Sequence, residues 1–176
     1  LKLMGGEVSH VCSALGTLGA DIEVEDTASA SIMFKDGALG TLEVTTAARP
    51  DDYEASLSLV CEKGLAQIGG IAVNELQVYS LDPTVCAKNS EDFSGNVYGK
   101  GHVKIYEEIV KYFEKQQPFP VTYEDTLSTI RLLNSFYLSD EIRNWVSVPT
   151  AGDSARLGRL DDELAVIYRT NIPENI

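Results

Sequence analysis

At 176 residues the chain is long enough for one full-sized domain, and 44% hydrophobic with 23% charged content is ordinary for a globular protein. Twenty-seven acids against 14 bases leave a net charge of −13, which argues against a nucleic-acid backbone as partner, because that needs clustered Lys and Arg. Cys12, Cys61 and Cys86 stand far apart with no C-x-x-C, which excludes a disulfide framework or zinc site and fits a reducing, cytoplasmic setting.

The chain opens on Leu1-Lys2-Leu3-Met4-Gly5-Gly6, which reads as the last turn of a helix running into its glycine stop. With no N-cap before it, the expectation is that a segment precedes it in a longer protein. Val11 to Ala20 is mildly apolar but follows Glu7 and His10 rather than a basic stretch, so a signal peptide is rejected. No uncharged run approaches the ~18 residues of a membrane span, and no membrane partner is expected.

Short strands follow. Ala28, Ala30, Ile32 and Phe34 alternate with polar or exposed-type residues up to the turn Lys35-Asp36-Gly37-Ala38. Leu42 and Val44 alternate with Thr41, Glu43 and Thr45, and Leu57 and Leu59 with Ser56 and Ser58. Glu62-Lys63-Gly64 turns the chain into Leu65 to Ile68, and after Gly69-Gly70 a further strand is expected over Glu75 to Tyr79. Tight turns between short strands predict antiparallel pairing. One face of the resulting sheet carries Leu, Ile, Val and Phe and should pack on helices. The other is Ser- and Thr-rich with few charges, which suits contact with another subunit; the plainer account is a solvated face rich in a residue that favours strands.

The second half turns helical. His102, Ile105, Tyr106, Ile109, Val110 and Phe113 follow helical spacing over 102–117, and Pro118-Phe119-Pro120 ends the run. Thr122 with Asp125 is close to a capping box, opening a second helix with Leu127, Ile130, Leu133, Asn134, Tyr137 and Leu138 on one side. Val146-Ser147-Val148 is a candidate edge strand. Thr150 to Ser154 reads as a linker, followed by a short helix in which Asp161-Asp162-Glu163 suit the positive end of its dipole.

No catalytic constellation is visible. G-x-S-x-G, H-E-x-x-H and the Walker loop are absent, and His10 and His102 lack metal-ligand spacing. Asp51-Asp52 and Asp161-Asp162 are read as solvated loop or helix-start acids. Two segments are candidate binding sites. Asn96, Tyr98, Lys100 and His102 surround Gly99 and Gly101 at the head of the first helix, where glycines allow close approach and helix N–H groups can receive an anion; a loop that only caps the helix is the plainer account. Arg49 and Tyr53 lie on an inter-strand loop, where a guanidinium can grip a carboxylate or phosphate in bidentate fashion, or pair with a neighbouring Asp.

The order of these elements resembles the C-terminal domain of the Gfo/Idh/MocA oxidoreductases, the glucose-fructose oxidoreductase and inositol dehydrogenase family. The residues that carry it are Leu1 to Gly6, Glu25-Asp26-Thr27-Ala28 with Phe34 to Gly40, Leu59 to Gly64, and Gln117 to Val121 with Thr126-Leu127. Ile68 to Glu75 and Tyr98 to His102 are similar to nucleotide-sugar dehydrogenases that oxidise the 3-hydroxyl of UDP-linked N-acetylglucosamine or its uronic acid. The resemblance implies an α+β domain of the glyceraldehyde-3-phosphate dehydrogenase-like C-terminal kind: an open, largely antiparallel sheet with helices on one face. It spans 1–148, with 149–176 as a tail carrying a short helix.

It further implies a parent enzyme with an N-terminal Rossmann domain that binds NAD or NADP and is absent from this chain. This part would hold the sugar or nucleotide sugar through Arg49, Tyr53, Asn96, Tyr98, Lys100 and His102, and form a homo-oligomer, dimer or tetramer, through its sheet face. The proton-handling Lys and His of the family have no counterpart in the chain, so no catalytic, cofactor or metal residues are assigned and the isolated fragment is expected to be inactive with no cofactor bound. Two alternatives stay open: a non-enzymatic binding or assembly module that oligomerises through the same face, and a related enzyme acting on a free sugar, inositol or a biliverdin-like ligand.

Overall fold

The computed structural model describes residues 6–51, 53–93, 101–115 and 117–159. The expected helix tail at Leu1 to Met4 and the expected short helix after Asp161 lie outside them. The described chain divides into two units, one of residues 1–47 and 121–176, the other of 48–120.

The first unit holds a four-stranded antiparallel sheet in the order β3-β2-β1-β7. Its strands are β1 Val8–Gly16, β2 Thr27–Phe34, β3 Leu39–Thr45 and the two-residue β7 Val146–Ser147. Strand β2 alternates as expected, with Ala30, Ile32 and Phe34 buried and Ser29, Ser31 and Met33 exposed. Gly40 faces the Phe34 ring, and a Cβ there would lie 3.3 Å from it, so the glycine makes room for the aromatic side chain. The sequence gives β1 no comparable alternation: its inward positions are Val11, Ser13 and Leu15, and the serine interrupts the apolar period.

One helix, Tyr123–Ile142, packs on this sheet. It begins at a complete capping box: the Thr122 hydroxyl accepts from the Asp125 N–H at 3.1 Å while the Asp125 carboxylate accepts from the Thr122 N–H. Arg143, in the left-handed conformation, ends it. The core formed with the sheet is Val11, Ala30, Ile32, Phe34, Phe136 and Val146. The buried stripe of the helix differs from the apolar one expected. Ser135, Phe136, Ser139 and Asp140 face inward, while Ile130 and Leu133 are exposed.

The reason lies at the edge of β1. Its partner β7 pairs with His10 and Val11, and beyond Val11 this edge has no strand neighbour among the described residues. The helix supplies the missing partners. Ser139 Oγ accepts from the Ser13 N–H at 3.0 Å, the Phe136 carbonyl accepts from Ser13 Oγ at 2.6 Å, and Asp140 Oδ1 accepts from the Leu15 N–H at 3.1 Å. Buried N–H groups require acceptors, and an open edge invites unwanted pairing. Small polar side chains are therefore selected where Leu would be expected.

The second unit holds a three-stranded antiparallel sheet, β4 Leu57–Cys61, β5 Gly64–Gly69 and β6 Glu75–Tyr79, in that order. Gly70, with φ 88°, turns the chain out of β5. Two short 3-10 turns follow at Pro83–Val85 and Ala87–Asn89, then the helix Gly101–Phe113. With the two described α-helices numbered in chain order, this is α1 and Tyr123–Ile142 is α2. Helix α1 stops before the expected Gln117, where Lys115 takes a positive φ of 57°. None of its residues is buried, and Phe113 is 76% exposed. The fold class is α+β with antiparallel sheets, and the ordered packing of helix on sheet is that of α2.

Candidate substrate-binding loops

In the first unit, Asp26 organises the connection between two strands. The β1–β2 connection, residues 17–26, folds back on this carboxylate. It accepts from the N–H groups of Leu18, Gly19 and Ala20 at 2.9, 2.8 and 2.6 Å, and from the Thr27 hydroxyl at 2.9 Å. Burial, the largest single influence, pushes the Asp26 pKa up. The three backbone N–H groups and the Thr27 hydroxyl together outweigh it and hold the carboxyl below its ordinary value. The Asp26 carbonyl also accepts from the Thr46 N–H at 2.8 Å, so one residue ties the loop to the end of β3. Gly19 lies against Ala47: a Cβ on it would sit 2.7 Å from the Ala47 Cβ.

Arg49 and Tyr53 sit on the connector between β3 and β4. The Arg49–Pro50 peptide bond is cis. The Arg49 guanidinium donates back to the Ala48 carbonyl at 2.8 Å, and the side chain is exposed. Tyr53 is 87% exposed. His102 is the second residue of α1 and is exposed, although the helical spacing places it on the apolar stripe. Asn96, Tyr98 and Lys100 lie outside the described residues. The structure thus brings Arg49 and Tyr53 onto one connector, and sets His102 on a separate element.

Among the described residues no group of three or more His, Cys, Asp and Glu is arranged to hold a metal ion. Among them, too, no helix is long and apolar enough to cross a membrane. The two groups that sequence reasoning missed are the Asp26 hub and the buried Asp140. Each left a signal: Asp26 is the last of an acidic run at a strand start, and Asp140 stands four residues after Phe136 on a helix.

Comparison with known proteins agrees with this architecture. Residues 1–67 match the family model described as GFO/IDH/MocA C-terminal domain. The chain resembles a Gfo/Idh/MocA C-terminal domain. A solved WlbA dehydrogenase from Chromobacterium violaceum, in complex with NADH and UDP-GlcNAcA, is 30% identical with a TM-score of 0.73, over 86% of this chain and 43% of that one. The WlbA dehydrogenase from Bordetella pertussis, with the same two ligands, is 26% identical with a TM-score of 0.75, over 86% of this chain and 45% of that one. A levoglucosan dehydrogenase, in complex with NADH and levoglucosan, is 19% identical with a TM-score of 0.66 over 85% of this chain and 47% of that one, a likeness of fold alone. The chain therefore spans less than half the length of these solved relatives. No curated protein sequence matches it.

Proposed function

We propose that this chain is the substrate-binding and oligomerisation part of an NAD(P)-dependent oxidoreductase acting on a nucleotide sugar of the UDP-N-acetylglucosaminuronate class. The observation that carries the reading is the likeness to two WlbA dehydrogenases solved with NADH and UDP-GlcNAcA. In the intact protein the nicotinamide supplies the hydride chemistry, and a Rossmann domain outside this chain holds it. The residues of this chain bind and orient the sugar nucleotide, and the fragment alone is inactive.

The charge balance makes a demand on that site. A net charge of −13 repels a substrate bearing a diphosphate and a uronate, so local cations have to hold it. Arg49 is the described cation on the candidate loops whose planar fork fits a carboxylate or phosphate, with Tyr53 beside it on the same connector. His102 in the first turn of α1 completes the proposed set with Asn96, Tyr98 and Lys100, which precede it in the sequence. Loss of one charge-assisted hydrogen-bonding group costs ~1.5–3 kcal/mol, or about tenfold to hundredfold in binding. Arg49→Ala in the intact protein should raise KM for the UDP-sugar by that factor and leave kcat within about threefold. An unchanged KM would remove Arg49 from the site.

Oligomerisation is assigned to the sheet face away from α2. By register its rows are His10, Met33 and Leu39; Cys12, Ser31 and Thr41; Ala14, Ser29 and Glu43; and Gly16, Thr27 and Thr45. This face carries one acid, one histidine and otherwise uncharged side chains, which favours flat contact with a second copy. Ser31→Arg would bury an unpaired charge at the centre of that contact, and should weaken assembly by over about a hundredfold in sedimentation equilibrium. Unaltered assembly would show that the face is solvated, as its Thr content alone would allow.

A further inference from the structure

The segment Ala151–Leu157, whose first half falls in the expected linker Thr150 to Ser154, lies along α2 and is stitched to it. Asn134 donates to the Gly152 carbonyl at 2.7 Å and accepts from the Ser154 N–H at 2.8 Å. The Glu141 carboxylate accepts from the Ser154 hydroxyl, from the Ala155 N–H at 3.4 Å and from the Arg156 N–H at 2.9 Å. The Arg156 guanidinium lies 6.0 Å from the Tyr137 ring centroid and ion-pairs with Asp140 Oδ2. The Asp140 side chain is wholly buried and that of Arg156 is 12% exposed.

We propose that Gly152–Leu157 is a strap that opens and closes on α2 as a unit, hinged at Ala151, which packs against the core, with the Arg156–Asp140 pair as its clasp. Two features separate it from the rest of the fold. Its side-chain bonds run to α2 or stay within the strap, the Arg156 carbonyl accepts from the Arg159 N–H at 2.8 Å, and none of these bonds belongs to a strand ladder. The clasp is also built so that opening leaves Asp140 with partners: Oδ2 faces Arg156, while Oδ1 accepts from the Leu15 N–H at 3.1 Å and from Arg143 at 2.9 Å. A carboxylate that keeps two donors when the third leaves avoids most of the penalty of a stranded buried charge. Local opening of such a segment is then available without disturbing the β1 edge.

Amide hydrogen exchange on the 176-residue chain tests this. In the wild type, the N–H groups of Ser154, Arg156 and Leu157 should exchange at least about tenfold faster than those of the β1–β2 ladder. Arg156→Met should accelerate the strap by a further tenfold or so and leave the ladder unchanged. Equal protection of strap and ladder in the wild type would overturn the proposal, and that comparison stands even if the variant fails to fold. It would equally be overturned if Arg156→Met left strap exchange unaltered, or loosened strap and ladder together.

Discussion

Asp140→Ala should destabilise the protein by about 3–5 kcal/mol, read as a fall in the urea midpoint at constant m. The size follows from what the carboxylate touches. One oxygen accepts from the Leu15 N–H at the open edge of β1 and from Arg143, and the other pairs with Arg156. Truncation strands a buried N–H and leaves a largely buried guanidinium without its counter-charge. A domain stable by only about 5–15 kcal/mol would lose a large fraction of its margin. Asp140→Asn should cost less, because an amide oxygen can still accept from Leu15. A loss under about 1 kcal/mol for the alanine variant would mean that water or a shifted Ser139 satisfies the edge, and the account of α2 as a substitute strand would fail.

The second large effect belongs to Asp26, and it depends on pH. The folded carboxyl is held below its ordinary pKa by the Leu18, Gly19 and Ala20 N–H groups and the Thr27 hydroxyl, against the opposing push of burial. A depressed folded pKa contributes stability that is complete above the unfolded carboxylate range. It is lost as pH falls through the folded value. Asp26→Asn should therefore cost about 1–3 kcal/mol at pH 7, since the amide keeps one acceptor oxygen but turns N–H groups toward the loop donors. In acid the wild type should lose that advantage, so the two melting temperatures should converge. Parallel curves from neutral pH down through the carboxylate range would show that Asp26 stabilises through shape rather than charge.

These two aspartates also mark what the sequence made legible and what it did not. Period-two alternation located β2 and β3, turn residues placed β4 to β6, and Thr122 with Asp125 fixed the start of α2, because each is a local signal. In sequence, strand β1 is only a mildly apolar stretch. Its inward Ser13 bonds to Phe136, more than a hundred residues on, and no local period records such a partner. The same long-range pairing chose serines and an aspartate over leucines for the inner stripe of α2. Thr150 to Ser154 has the composition of a linker, yet its bonds run to Asn134 and Glu141 on α2.

The candidate site was legible as residue types rather than as geometry. Arg49, Tyr53 and His102 stand on the loop and helix start where sequence placed them. Their convergence on one ligand belongs to the proposed function, because such a convergence is a long-range arrangement that no local residue pattern records.

The most direct measurement is nicotinamide reduction by the intact protein, followed by absorbance with UDP-linked N-acetylglucosaminuronate and with the free sugar acid as alternative substrates. The account predicts turnover with the UDP-sugar and a kcat/KM at least about a hundredfold lower for the free sugar, since the nucleotide supplies most of the charged contacts. No reduction with either substrate, or equal rates with both, would contradict a nucleotide-sugar dehydrogenase.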